Sequence, residues 1–300
     1  MKRINIIFWS LLLSFTLTCC DNSNAGNTEQ ADAKQTSKKN KSGKKDKEAT
    51  SLAVSIIEKW EMPAILKEIS GIAYLDKNRF ACVQDESGII FIYNNATGKI
   101  EKQVTFGASG DYEGIAMVGT TAYVVRSNGT IYEVDNINIS SPNIKEHKTP
   151  LTAKNDVEGL AYDAPNNRLL LAIKGAETSS ADYKGIYAFD LKSKKLSTTP
   201  AIKLNLSDPM LPSKKSKKPA NNLQPSDIDI NPVTKEIYLT ESANSNLYIL
   251  NADGSIKERY TLSKADFSQP EGITFSPSGE LFISNEGKDE SGNILQVRVK

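Results

Sequence analysis

Asp111-Tyr112-Glu113-Gly114-Ile115-Ala116-Met117 is one of five versions of a single phrase. The others are Glu68-Ile-Ser-Gly71-Ile-Ala-Tyr74, Asp156-Val-Glu-Gly159-Leu-Ala-Tyr162, Gln224-Pro-Ser-Asp227-Ile-Asp-Ile230 and Gln269-Pro-Glu-Gly272-Ile-Thr-Phe275. From Gly71 the successive steps are 43, 45, 68 and 45 residues. About 45 residues is the length of a four-stranded propeller blade. The long step exceeds one blade by 23 residues, and two blades would need far more. Its excess falls at 175–185 and at 205–222, where the run NLSDPMLPSKKSKKPANN reads as an excursion loop.

Around the phrases, short β-rich runs alternate with Gly, Asn and Asp turns, and no long stretch carries a helical period. The chain is therefore all-β. The first unit resolves into strands at Gly71–Leu75, Arg79–Gln84, Ile89–Tyr93 and Ile100–Phe106. The fifth has only 28 residues after Gly272, enough for three strands. Val54–Glu61 stands unclaimed before the first repeat and supplies the missing outer strand, closing the ring and removing its edges. The expectation is a five-bladed β-propeller over 51–300. Six blades would need a unit that the spacing does not provide.

The remaining residues precede the fold. Met1–Cys20 has a basic start at Lys2 and Arg3 and an apolar run over Ile4–Leu17, the pattern of a secretory signal. It ends Leu17-Thr18-Cys19-Cys20, which resembles a bacterial lipobox, with Leu17 three residues before Cys20. That resemblance implies lipid on Cys20 and a membrane-anchored place in the cell envelope, facing periplasm or exterior. Residues 21–50 hold seven Lys and no apolar side chain larger than Ala. Such a stretch cannot bury enough surface to offset its ordering entropy, so a disordered tether is expected.

Composition removes several function classes. Of 300 residues, 37 are Lys or Arg and 36 Asp or Glu, so no basic field recommends nucleic acid as a partner. Beyond residue 50 the balance is 28 to 31, mildly acidic. His147 is the only histidine, which excludes multi-His metal sites. Three cysteines make no disulfide framework, and Cys82, inside an apolar strand, reads as a core thiol. No nucleophile elbow, phosphate loop or dinucleotide fingerprint is present. What remains is oxygen chemistry.

The phrases align into columns. One holds Glu68, Asp111, Asp156, Gln224 and Gln269; two residues on come Ser70, Glu113, Glu158, Ser226 and Glu271. Residues i and i+2 of a strand point the same way, and pseudo-symmetry brings equivalent positions together around the axis. A channel mouth lined by Glu113, Glu158 and Glu271 is expected. Carboxylates converging there repel, so protons, a bound cation or neighbouring cations must compensate them. Calcium takes many oxygen ligands at flexible geometry, and Glu68, Asp111, Asp156 and Asp227 extend the donor set. A third column, at the ends of the second strands, carries Asp85, Arg126, Lys174, Glu241 and Asn285. Arg126 and Lys174 either neutralise the acids of their own blades or clamp an anionic ligand. Gly114, Gly159 and Gly272 are read as spacing residues where inner strands crowd the axis.

Taken in order, the E-x-S-G-I-A opening, the two D-x-E-G phrases and the Q-P-S-D and Q-P-E-G closers resemble the SdiA-regulated (YjiK-like) family of bacterial propellers. The likeness covers about 55–300 and extends more distantly to NHL-repeat and calcium-dependent phytase-like propellers. It implies a five-bladed ring, an envelope location and a shared calcium ion, but no established reaction. The expected function is a monomeric, lipid-anchored, calcium-binding propeller serving as a binding or scaffold module for an anionic small molecule or an envelope partner. The alternative is a metal-dependent hydrolase, phytase-like or lactonase-like, with a carboxylate as general base.

Overall fold

A computed structural model describes residues 53–177, 180–212 and 218–300. The signal, the lipobox, the tether and the Lys-rich stretch at 213–217 lie outside the described residues. Five antiparallel sheets follow one another along the chain. The first strand is β1 (Val54–Glu61). Blade one is β2 (Ile69–Asp76), β3 (Arg79–Gln84), β4 (Ile89–Asn94) and β5 (Lys99–Thr105). Blade two is β6 (Tyr112–Val118), β7 (Thr121–Arg126), β8 (Ile131–Asp135) and β9 (Asn143–His147).

Blade three begins with β10 (Val157–Asp163), β11 (Arg168–Ile173) and β12 (Tyr183–Asp190). Its outer edge is divided between β13 (Lys195–Leu196) and β14 (Ile202–Asn205), both paired with β12. Blade four is β15 (Asp227–Ile230), β16 (Ile237–Glu241), β17 (Asn246–Leu250) and β18 (Ile256–Thr261). Blade five is β19 (Pro270–Phe275), β20 (Leu281–Asn285) and β21 (Asn293–Val299). The long step belongs to blade three and its exit. One correction follows: Tyr183–Gly185 is not part of the excess but the start of β12, paired with Lys203–Asn205.

β1 completes blade five, pairing antiparallel with β21 from Val54↔Val299 to Glu61↔Asn293. The inner strands β2, β6, β10, β15 and β19 touch in cyclic order, β19 against β2 included, and so form a closed ring. Alternation along each strand sends apolar residues to both faces of the blade, and the core accordingly divides into five clusters, one in each seam between neighbouring blades. In the closing seam Phe80 of blade one meets Phe282 of blade five edge-on at 5.1 Å, with Trp60 of β1 lying 6.3 Å from Phe80. Between blades two and three, the buried Glu133 accepts from His147 Nε2 and Lys194 Nζ, each at 2.8 Å. The single histidine is thus part of a seam. Cys82 is fully buried, as read from its strand. Among the described residues no helix is long and apolar enough to cross a membrane.

Candidate functional site at the channel mouth

The inner strands begin at one end of the channel, and the repeated phrase sits where they crowd. A Cβ on Gly71 would stand 2.7 Å from the carbonyl oxygen of Glu113; one on Gly114, 2.9 Å from that of Glu158. A Cβ on Gly272 would stand 2.6 Å from the Ser70 carbonyl. These glycines are spacers, as expected. In the four blades that carry Gly, the ladder between first and second strands slips at the phrase. Each slip is a bulge that re-aims the preceding side chain.

The re-aimed side chains are Ser70, Glu113, Glu158 and Glu271, and the three acids interact through the channel. Burial, then the charges of Glu158, Asp111 and Glu271, push the Glu113 carboxyl far above the usual carboxylate range. Glu158, only 5% exposed, is raised by burial; Lys174 pulls it back, and Glu271 and Asp156 push it up again. Glu271 is raised by burial against the pull of Lys174 and of hydroxyls from Ser226 and Ser242. Lys174 Nζ donates to Glu158 Oε1 at 3.2 Å. Burial alone would lower this ammonium, but Glu158, Glu271 and Asp156 outweigh it and hold the group above its ordinary value.

A second set of acids lies beside the first, toward blades five, one and two. Burial and then Glu68, Glu86, Glu286 and Asp111 raise Asp85 to about 6, and its Oδ1 is buried without a hydrogen bond. Glu286 is raised by burial and by Glu68. Asp111 is exposed and accepts from the Ser127 hydroxyl.

Two expected roles change. Asp227, read as a metal donor, occupies the glycine position of the phrase in blade four, where the ladder has no slip. Its side chain turns into the ring and accepts backbone N–H groups from Leu160 (3.1 Å), Ile228 (2.8 Å) and Ile273 (2.9 Å). It ties blades three, four and five together, which is a structural role. Arg126 makes no ion pair with Glu113 among the described residues. Its guanidinium lies 5.5 Å from the centre of the Tyr112 ring, and its Nε is buried without a partner. Only Lys174 of the two cations neutralises its own blade's acid. Glu241 is fully buried and accepts from Gln224 N, Asn244, Asn246 and Tyr248, so it too is structural.

One contributor was absent from the sequence reading. Lys184, 1% exposed, donates to the carbonyls of Lys174 and Gly175. Burial lowers this ammonium to about 8. By anchoring that backbone it sets where the Lys174 side chain starts. The signal was there: Lys184, Ile186 and Ala188 alternate onto one face of β12.

Among the described residues no three His, Cys, Asp or Glu side chains stand close enough to hold one metal ion in common. Lys174 occupies Glu158, and the oxygens of Asp227 face backbone amides. The seven expected donors, Glu68, Asp111, Glu113, Asp156, Glu158, Asp227 and Glu271, therefore do not assemble into one calcium cage. What the mouth offers is a group of carboxyls whose proton affinity is raised, first by burial, around one ammonium.

No family model and no curated protein matches this sequence. Among solved structures, the chain is similar to a glutaminyl cyclase from Myxococcus xanthus, with a TM-score of 0.61 and 14% identity over 82% of this chain and 96% of that one. A Bacteroides thetaiotaomicron protein of unknown function gives 0.51 and 16% over 77% of this chain and 58% of that one. A PQQ-bound aldose sugar dehydrogenase from Streptomyces coelicolor gives 0.51 and 11% over 82% and 98%. At these identities the likeness is one of fold, and the fold it shows is the β-propeller.

Proposed function

We propose that the chain is a binding propeller of the bacterial cell envelope, a member of the SdiA-regulated (YjiK-like) group, whose acidic mouth takes up a cationic group in exchange for protons. The observation that supports this reading is the gathering at the mouth of three nearly buried acids, Glu113, Glu158 and Glu271, each raised first by burial, with Glu158 and Glu271 adding to Glu113 and Glu271 to Glu158. Carboxyls whose proton affinity is raised by burial, and further by one another's charge, give up protons when a cation enters and stabilises the ionised form. The mouth already accommodates one ammonium, that of Lys174. The test is a titration of the purified chain with calcium, magnesium and spermidine in weak buffer at pH 7, following proton release and melting temperature. The expected result is saturable proton release with at least one of them, reduced in Glu113→Gln. No release with any of the three removes the reading, and release with calcium alone identifies the ion.

The anchoring part of the reading rests on Met1–Cys20. Incorporation of labelled palmitate should disappear in Cys20→Ser and persist in Cys19→Ser. Labelling that survives Cys20→Ser removes the assignment.

A second reading, hydrolase or cyclase, draws on the unlike states of two neighbours. Burial and neighbouring acids raise the Glu113 carboxyl to about 10, while Glu158, with Lys174 at 3.2 Å, is raised only to about 8, a difference in proton affinity that can serve as acid and base. It is tested on lactones, phosphoesters and a glutaminyl peptide, the last suggested by the name of the Myxococcus relative. Turnover lost in Glu158→Gln supports it; none on the whole set removes it.

A further inference from the structure

The far ends of the inner strands open into a second space, opposite the acids. It is a cavity of about 660 Å³, within the range of about 300–1,000 Å³ in which small-molecule sites fall. Its walls mix apolar and polar surface, with Tyr74, Met117, Tyr162, Ile230 and Phe275 each near the end of an inner strand. Four charged residues line it: Asp163, Arg168, Asp229 and Lys235. Asp163 is answered by Arg168 Nε at 2.7 Å and by Asn166 Nδ2 at 2.8 Å. Lys235 is exposed at the rim, with its ammonium on the carbonyl of Pro232.

Asp229 differs from these. It stands two residues after Asp227 on β15, so both side chains point into the channel. Each of its oxygens accepts one backbone N–H, Oδ1 from Ile230 at 2.7 Å and Oδ2 from Phe275 at 3.1 Å. The Thr274 side chain also hydrogen-bonds to it, which leaves about one of a carboxylate's roughly four lone-pair sites unused. No ion pair to Asp229 is present among the described residues. The cavity is thus a space with apolar and aromatic walls and one carboxyl that pairs with no cation among the described residues; burial raises that carboxyl to about 7, so it carries its full charge only above neutral pH.

We propose that this second mouth binds a small organic cation, an apolar ring-bearing body with a positive nitrogen directed at Asp229. The aromatic rings of Tyr74, Tyr162 and Phe275 supply negative faces for such a cation and area for its body. Neutral apolar molecules would leave the carboxylate unmatched, and anions would be repelled by it. The site is separate from the acidic mouth and does not depend on what binds there.

The test uses berberine, a flat aromatic cation that brightens on leaving water, with 1-anilinonaphthalene-8-sulfonate as an apolar probe of opposite charge. Berberine is expected to bind the full mature chain saturably, at least tenfold more weakly in Asp229→Asn, and to be displaced by filling the cavity in Met117→Trp. Each variant is first shown to melt cooperatively; the two act by different means, so loss of one to misfolding leaves the other. Equal binding of berberine by the wild type and both variants overturns the proposal. So does stronger binding of the anionic probe, or a loss in Glu158→Gln equal to that in Asp229→Asn, which would place the dye among the acids instead.

Discussion

The carboxylate of Asp227 accepts the backbone N–H of Ile273, in the next blade, at 2.9 Å, and so does for blades four and five what glycine does elsewhere in the ring. Elsewhere the strands approach until only a missing side chain lets them pass; here a side chain fills the gap and bonds to its neighbours. Asp227→Ala should leave the amides of Leu160, Ile228 and Ile273 unpartnered. At about 1–3 kcal/mol for each buried group left unsatisfied, the loss should reach about 3 kcal/mol or more. Urea unfolding reads it directly. A loss below about 1 kcal/mol would show that the amides find other partners.

The acids at the mouth make stability fall with rising pH. Each raised carboxyl binds its proton more tightly in the folded than in the unfolded chain. Its contribution is therefore complete below its ordinary value, 3.8 for Asp85 and 4.5 for Glu113, and declines as pH climbs through the folded values, about 6 for Asp85 and higher for Glu113. Asp76 and Glu133 are lowered and act in the opposite sense at acid pH, so the informative quantity is the difference between variants. Glu113→Gln should melt higher than wild type at pH 8, by about 2–4 °C for each kcal/mol relieved, and equally at pH 4. A gain of the same size at both pH values would assign the effect to packing.

Lys174 and Glu158 form an ion pair whose carboxylate is nearly buried. Lys174→Met should destabilise more than the double variant Lys174→Met/Glu158→Gln, because the single change leaves a buried acid without its cation. A double-mutant cycle in denaturant should return a coupling of about 1–2 kcal/mol. Additive losses would mean that the pair is solvated in solution.

How much of this was readable beforehand depended on whether a property was repeated. The spacing of Gly71, Gly114, Gly159 and Gly272 carried the blade count, and the unclaimed run Val54–Glu61 matches the closing strand residue for residue. The gathering of Glu113, Glu158 and Glu271 was readable for the same reason, since equal positions in equal units meet at an axis. Departures from the repeat were not. Asp227, the acid in a column of glycines, looks like one more oxygen donor beside the mouth until the absence of a bulge turns it toward backbone amides. Arg126 and Lys174 share a column, yet Tyr112 lies beneath the guanidinium while Glu158 meets the ammonium. Those choices are made by a side chain's immediate neighbours, which a column does not contain.

Removing β1 tests closure. A chain beginning at Met62 leaves β21 as an open edge and strips Trp60 from the aromatic seam. It should melt at least about 10 °C lower, from the loss of several kcal/mol, and associate through that edge. A synthetic peptide of residues 53–61 should restore both the melting temperature and the monomer. An unchanged melt would show that three strands suffice for the fifth blade.

The pairing of Val54 with Val299 also fixes when the molecule can become whole. The ribosome makes β1 first of the described strands, yet its only sheet partner is made last. Until β21 emerges, four blades can assemble but the circle stays unlatched, with one hydrogen-bonding rim on each side of the break. A polypeptide built this way cannot close its circle until the strand that runs to Val299 is free to pair.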